Sequence, residues 1–200
     1  MKRVIVFIDG QNFYRSALRA FFDGRAESNS AGQFHPEMLG KLLASRDADR
    51  ILTEVRVYTG RPDAYLQAKA HAANVRQCQA WEKAACYVFT RPLRYPPGFS
   101  ARGDLRPEEK GIDVAIALDF ARLAERGAYD VGILCSGDTD LIPAVEVVLD
   151  GAGATAEVAG WRTDTYRQRL SIPGRNVWCH WLARADYEEV RDSRDYTSPE

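Results

Sequence analysis

The apolar stretch Val4-Ile5-Val6-Phe7-Ile8, followed by Asp9-Gly10-Gln11-Asn12, decides the fold class of this chain. A short, continuous apolar run rich in β-branched residues is typical of a parallel strand covered on both faces. The basic Met1-Lys2-Arg3 resembles the start of a signal peptide, but the apolar run is short and reaches Asp9 without a cleavage site. We therefore expect the first strand of a buried sheet here.

Strand and helix patterns alternate along the rest of the chain. Further strands are predicted at residues 55–58, 87–89, 131–135, 156–159 and 177–181. Helices are predicted at residues 12–22, 36–43, 64–81, 112–126, 141–149 and 163–170. The alternation predicts an α/β fold, a three-layer sandwich with a central, mostly parallel sheet flanked by helices. We expect a single domain over residues 1–182 and a charged, loosely ordered tail over 183–200.

The composition narrows the class of protein. A chain of 200 residues that is 46% hydrophobic can bury an ordinary core, and its formal net charge is −1. Binding to a polyanion must therefore depend on a local patch or a bound metal. Charged residues interrupt every apolar stretch before it could span a bilayer, and the four cysteines show no C-x-x-C spacing. We expect a soluble, cytoplasmic protein with reduced thiols, no membrane partner and no zinc; a homo-oligomer is compatible with the sequence.

Four carboxylates carry the functional prediction. Asp9 directly follows the first strand, Asp138 and Asp140 follow the fourth, and Asp113 lies in the first turn of an apolar helix. The carboxyl ends of parallel strands share one edge of a sheet, so the acids converge if the strand order reverses between strands one and four. Singly, each acid is explained equally well as a turn, cap or helix-dipole residue. Together they would raise one another's pKa unless a cation lay between them, and oxygen ligands select Mg²⁺ or Mn²⁺.

Residues beside these acids suit a phosphate substrate. Asn12 lies one helical turn from Asp9 and is a candidate to orient a ligand or a water molecule. The hydroxyls of Ser136 and Thr139 are candidate donors to a phosphate or a metal-bound water. Lys110 is a candidate phosphate contact, although a lone lysine is usually only a surface charge.

A proline-rich segment, residues 91–107, is predicted to be a long exposed loop, and such loops often contact substrate. Its basic and aromatic residues are suited to gripping phosphates and stacking unpaired bases. These residues are Arg91, Arg94, Arg102, Arg106, Tyr95 and Phe99. A solvated loop whose aromatic rings fold back onto the core explains the same pattern equally well.

Three motifs in order resemble an NYN domain of the LabA-like group, within the PIN-like nuclease superfamily. The motifs are Phe7-Ile8-Asp9-Gly10-Gln11-Asn12-Phe13, Lys110-Gly111-Ile112-Asp113-Val114 continuing to Asp119, and Ser136-Gly137-Asp138-Thr139-Asp140-Leu141-Ile142-Pro143. The resemblance spans roughly residues 3–160 and implies a PIN-like α/β sandwich with metal-dependent ribonuclease activity. It assigns Asp9, Asp113, Asp138 and Asp140 to the acidic constellation, with Asn12 and Ser136 in supporting roles.

Three functions are compatible with these residues. The first is a Mg²⁺- or Mn²⁺-dependent endoribonuclease acting on single-stranded or structured RNA. The second is a regulatory module of the same fold that binds RNA or protein without catalysis. The third, a phosphatase for small phosphoesters, ranks last because Asp9 is followed by Gly10 and Gln11 rather than by a second aspartate two positions on.

Overall fold

The computed structural model describes residues 1–26, 28–101, 103–151 and 153–198. These residues form one sheet of six strands, and every pair of neighbouring strands is parallel. The strands are β1 (Lys2–Asp9), β2 (Arg50–Arg61), β3 (Tyr87–Pro92), β4 (Val131–Cys135), β5 (Thr155–Trp161) and β6 (Cys179–Leu182). Their order is β3-β2-β1-β4-β5-β6, which confirms the expected reversal between β1 and β4.

Helices cover both faces of this sheet, so the predicted α/β sandwich is confirmed. The helices are α1 (Gly10–Phe21), α2 (Pro36–Ser45), α3 (Ala68–Lys83), α4 (Ile112–Glu125), α5 (Ile142–Gly151) and α6 (Arg184–Val190). A short 3-10 turn, Thr139–Leu141, joins β4 to α5. Side chains of α1, α2, α3 and α6 belong to one hydrophobic cluster, and those of α4 and α5 to the other.

The central strand β1 contributes to both clusters because its side chains alternate between the two faces. Val4, Val6 and Ile8 pack beneath α1 and α2, whereas Ile5 and Phe7 pack beneath α4 and α5. All five are buried, and each such side chain contributes about 1.5–3 kcal/mol relative to an exposed one. The continuous apolar run is therefore a strand buried on both faces, as the sequence predicted.

The predicted helix at 163–170 is wrong. Residues 163–166 form a turn in which the Thr163 hydroxyl accepts a hydrogen bond from the Tyr166 N–H at 3.0 Å. The Thr163 N–H also donates to the Tyr166 carbonyl at 2.8 Å, and Arg162 pairs with Arg167 in an antiparallel bridge, so the chain reverses direction here instead of continuing as a helix. The following residues then run as extended chain so close to Gly160 that a β-carbon there would overlap the Gln168 carbonyl.

The prediction of a loosely ordered tail is wrong for residues 184–190, which form α6. Tyr187 and Val190 are buried, and the Tyr187 hydroxyl accepts a hydrogen bond from the Gly32 N–H at 2.9 Å. The Tyr187 ring also lies 5.1 Å from the Phe21 ring and 5.8 Å from the Trp161 ring. Two large side chains three residues apart suffice to anchor a short helix, although the segment is poor in apolar residues overall.

Other boundaries differ by a few residues. Strand β2 begins at Arg50, five residues before the predicted 55–58. The sequence pattern did not indicate its first half because those residues are partly exposed and mix polar with apolar side chains.

In the part of the chain that the structure describes, no helix has both the length and the apolar character to cross a membrane. The four cysteines are buried and unpaired, as predicted.

Candidate active site

The two motifs that follow β1 and β4 meet at the carboxyl edge of the sheet. Ile8 pairs with Cys135, so Asp9 and Ser136 leave neighbouring strands at the same level. The Ser136 hydroxyl donates a hydrogen bond to Asp9 Oδ2 at 3.1 Å. Residues 127 positions apart in the chain are thus in direct contact, as the strand order predicted.

Hydrogen bonds hold the two loops in one arrangement around Asp9. Asp9 is the N-cap of α1, and its Oδ1 accepts the Asn12 N–H at 3.1 Å. Asn12 Oδ1 in turn accepts the Gly137 N–H at 3.0 Å, and the Asp138 N–H donates to Ser136 Oγ at 3.1 Å. Asn12 and Ser136 therefore orient the carboxylate and join the loops, while the Asn12 side-chain NH₂ keeps its donor capacity.

A polar cavity of about 180 Å³ opens beside these residues. Its lining residues are Asp9, Gln11, Asn12, Arg15, Ser16, Arg19, Glu109, Asp138 and Gln168. Two predicted acids, Asp9 and Asp138, share this cavity with a third, Glu109, which the sequence analysis had not assigned to the site. Three carboxylates and two arginines in one small cavity make a strongly charged site that suits an ion or a phosphate.

Electrostatics at Asp9 reflect this crowding. Burial raises the pKa of Asp9 from its ordinary 3.8 to about 7. The negative charges of Glu109 and Asp138 act in the same direction, whereas the hydrogen bonds from Asn12 and Ser136 oppose the shift. A nearby cation would lower the pKa of Asp9 again, because it stabilises the ionised carboxylate.

Glu109 is placed by the end of β2. Its Oε1 accepts a hydrogen bond from the Gly60 N–H, and a β-carbon at position 60 would lie 2.8 Å from Glu109 Cγ. Glycine at this position therefore makes room for the carboxylate. Burial raises the pKa of Glu109; the Gly60 N–H and the charge of Arg15 oppose the increase, and the charge of Asp113 adds to it.

The other two predicted acids lie outside the cavity lining. Asp113 is half-buried in the first turn of α4, close enough to Glu109 for its charge to act there. Asp140 is exposed, and its backbone N–H donates to Asp138 Oδ1 at 3.0 Å. Across residues 1–26, 28–101, 103–151 and 153–198, no three His, Cys, Asp or Glu side chains are grouped so that they could hold a metal ion.

Comparison with known proteins settles the family. The family model of the NYN domain matches residues 3–170. The chain belongs to the NYN domain family. NYN domains are part of the PIN-like superfamily and are generally nucleases, so the fold and the coarse class of activity agree with the resemblance seen in the motifs. The LabA-like subgroup stays a prediction.

A search of solved structures adds the fold alone. The crystal structure of a protein of unknown function from Vibrio parahaemolyticus RIMD 2210633 is similar to this NYN domain, with 20% sequence identity and a TM-score of 0.51. The alignment covers 80% of this chain and 81% of the other. A search of curated proteins gives no match.

The predicted substrate contacts of this NYN domain are spread over its surface. Thr139 and Lys110 are exposed and absent from the cavity lining. Arg91, at the end of β3, lies against the N-terminus of α4, where a β-carbon on Gly111 would come within 2.5 Å of its Nη1. Arg94 is exposed, and its backbone pairs with Glu108 through two hydrogen bonds of 2.9 Å.

In the proline-rich loop the aromatic residues fold back. The Tyr95 hydroxyl accepts the Asp63 N–H and donates to Gln67 Oε1, both at 2.8 Å. The Phe99 ring packs edge-on against Tyr95, with 4.7 Å between ring centroids. This arrangement favours the second explanation of the loop over base stacking; Arg102 lies outside the described residues.

Two residues that were not predicted to belong to the site, Arg15 and Arg19, lie on the cavity-facing side of α1. Both are exposed, and neither forms a hydrogen bond or an ion pair with the described residues. Their spacing of three and seven residues from Asn12 on one helix could have indicated a shared face. Gln168, from the segment after β5, had no such signal.

Proposed function

We propose that this NYN domain is a Mg²⁺- or Mn²⁺-dependent endoribonuclease whose reaction takes place in the cavity around Asp9. The observation that carries the proposal is the burial of Asp9 between two motif loops, in a cavity that it shares with Asp138 and Glu109. A cytoplasmic location, which the four unpaired cysteines favour, belongs to the same proposal.

The donor chemistry of the cavity fits a hard cation. Both oxygens of Asp9 accept one hydrogen bond each and retain a lone pair, and Asp138 and Glu109 add further carboxylate oxygens. Mg²⁺ is usually held by one or two carboxylates together with water and substrate phosphates, rather than by a complete protein cage. Asp9 and Asp138 would hold the ion.

A bound ion would polarise a water molecule and offset negative charge on the phosphate. The remaining functions fall to the chain itself. Asn12 and Ser136 keep the Asp9 carboxylate oriented through their hydrogen bonds. Glu109 has one oxygen held by a backbone N–H and a raised pKa, so it is suited to accept the proton of an attacking water.

Positive charge beside the acids would position the phosphodiester chain. Arg15 and Arg19 line the cavity itself. Gln168 lines it as well and also belongs to a neighbouring depression with Arg167, Arg169 and Trp181. The Arg167 guanidinium lies 4.7 Å from the centre of the Trp181 ring. A single strand of RNA would find phosphate contacts on both sides of the cleavage position.

A binding module without catalysis is the second candidate. The absence of three metal-ligating side chains in one group, in the described part of the chain, favours it. The two candidates differ in whether the protein takes up Mn²⁺ and in whether RNA is cut, so both can be measured on the same sample.

The experiment compares the wild type with Asp138→Asn and with a control, Asp49→Asn. Asp49 precedes β2 at the opposite edge of the sheet, where its carboxylate lies 3.4 Å from the N-terminal amine. We expect Asp138→Asn to abolish Mn²⁺-stimulated cleavage of RNA with an unchanged circular dichroism spectrum, and Asp49→Asn to cleave normally. Equal cleavage by Asp138→Asn, or wild-type cleavage that EDTA leaves undiminished, would reject the nuclease mechanism. Binding of RNA without Mn²⁺ uptake or cleavage would favour the second candidate.

A further inference from the structure

We propose that a second cavity, of about 400 Å³, binds a nucleobase of the substrate beside the cleaved phosphate; this inference rests on the proposed function. We call it the base pocket and define it by Tyr14, Gln33, Phe34, Gln77 and Trp81 of its lining. Its volume falls within the range of about 300–1000 Å³ that small-molecule sites occupy.

The base pocket adjoins the catalytic cavity. Gln11, the second residue of α1, lines both cavities. Gly60, whose N–H holds the Glu109 carboxylate, lines the base pocket. A nucleotide with its phosphate among the acids therefore has a neighbouring recess on the other side of Gln11.

The walls of the base pocket suit a flat, aromatic ligand with polar edges. Rings of Tyr14, Phe34 and Trp81 line it, so a base would bury its faces against apolar surface. Side-chain amides of Gln33 and Gln77 lie among these rings. Such amides recognise base edges because each offers one acceptor and two donors.

Several polar groups of the base pocket have unused hydrogen-bonding capacity. Gln77 Nε2 donates to Gln33 Oε1 at 2.7 Å, which leaves Gln77 Oε1 as an acceptor and Gln33 Nε2 as a donor without partners among the described residues. The Tyr14 hydroxyl and the Gln11 amide also make no hydrogen bond with the described residues. Trp81 is 95% buried, and its Nε1–H is inaccessible to solvent and without a partner among the described residues, so its ring serves as a wall of the base pocket rather than as a donor to the ligand. Adjacent donors and acceptors at an apolar recess favour a nucleobase over a purely apolar ligand.

The C-terminal segment closes one side of the base pocket. Tyr196 and Thr197 belong to its lining. Asn29 Nδ2 donates to Asp195 Oδ2 at 3.1 Å and to Thr197 Oγ1 at 3.0 Å, and Arg76 donates to the Tyr196 carbonyl at 2.8 and 2.6 Å. These residues follow the part of the chain that matches the NYN model, residues 3–170. The wall that Tyr196 and Thr197 form therefore lies outside the part of the chain that matches the family model.

Nuclear magnetic resonance of the indole N–H groups tests the inference without any need for cleavage. AMP, GMP, CMP and UMP are titrated separately against ¹⁵N-labelled protein, with inorganic phosphate and ribose 5-phosphate as controls. We expect at least one nucleotide to shift the Trp81 indole resonance saturably, with affinities that differ between bases by about tenfold or more. Neither control ligand should shift this resonance.

Two variants link the shift to the base pocket. Gln77→Leu removes the free acceptor, and its matched control is Gln79→Leu, two positions along α3 and exposed. We expect Gln77→Leu to weaken nucleotide binding at least tenfold and Gln79→Leu to leave it unchanged. If Gln77→Leu lowers the melting temperature, Tyr14→Phe, which removes a single hydroxyl, replaces it and should weaken binding severalfold.

The outcomes separate this inference from the proposed function. No shift at Trp81 with any nucleotide, or the same shift with ribose 5-phosphate, overturns the base pocket even if RNA is cleaved. Base-dependent binding in a protein that cleaves nothing supports the base pocket and overturns the nuclease.

Discussion

Replacing Asp9 with asparagine should remove activity and yet stabilise the metal-free protein. Burial, together with the charges of Glu109 and Asp138, raises the pKa of Asp9 from 3.8 to about 7. A pKa difference of one corresponds to about 1.36 kcal/mol, so ionised Asp9 lowers the free energy of unfolding by about 4 kcal/mol. Because the folded-state pKa is the higher one, the destabilisation caused by Asp9 is absent below pH 4, grows as pH rises towards 7, and keeps its full size above that pH.

Asparagine keeps the shape of the side chain and its cap on α1. Its oxygen can accept the Asn12 N–H, and its NH₂ can donate to Ser136 Oγ. At pH 8 in EDTA we therefore expect Asp9→Asn to be more stable than the wild type by about 2–4 kcal/mol, and at pH 4 to be nearly equal to it.

Urea unfolding at pH 4, 5, 6, 7 and 8 in EDTA measures this difference. The control Asp49→Asn removes an exposed carboxylate and should follow the wild type within about 1 kcal/mol at every pH. Mn²⁺ should restore part of the stability of the wild type at pH 8 and none in Asp9→Asn. A difference between Asp9→Asn and the wild type that does not change with pH, or a variant less stable at pH 8, would refute the reasoning.

Three further predictions concern other parts of the molecule. Burial acts to raise the pKa of Glu157, but hydrogen bonds from a buried histidine and arginine lower it to about 2, so Glu157→Gln should cost about 3 kcal/mol at pH 7. That cost should disappear between pH 5 and pH 2, as urea unfolding across this range would show. A β-carbon at position 60 would overlap the Leu93 side chain as well as Glu109, so Gly60→Ala should displace both side chains and reduce cleavage at least tenfold in a still-folded protein, which activity and melting measurements check together. Arg15→Gln and Arg19→Gln should each weaken RNA binding and reduce the slope of log K against log salt by about 0.7, measured by fluorescence anisotropy.

Sequence reasoning succeeded where a local pattern has one structural solution. The apolar run of β1 and the acid that follows it, Asp9, were predicted, and so was the contact with the loop after β4 that contains Ser136. It failed where the deciding contact comes from a distant residue. Glu109 faces the site because Gly60 leaves room for it, and Tyr187 anchors α6 through rings from elsewhere in the chain. No local pattern carries that information.

The amino-acid sequence by itself determined the alternation of strands and helices. It also placed each of the three acidic motifs at the end of a strand or at the start of a helix. Periodicity and capping depend on residues only a few positions apart, so they can be recognised in the sequence alone. The tertiary structure decided which acids share a cavity, bringing Asp9, Asp138 and Glu109 together and leaving Asp140 exposed. Side-chain direction and burial depend on contacts between segments that are distant in the sequence, and these contacts form only when the sheet assembles.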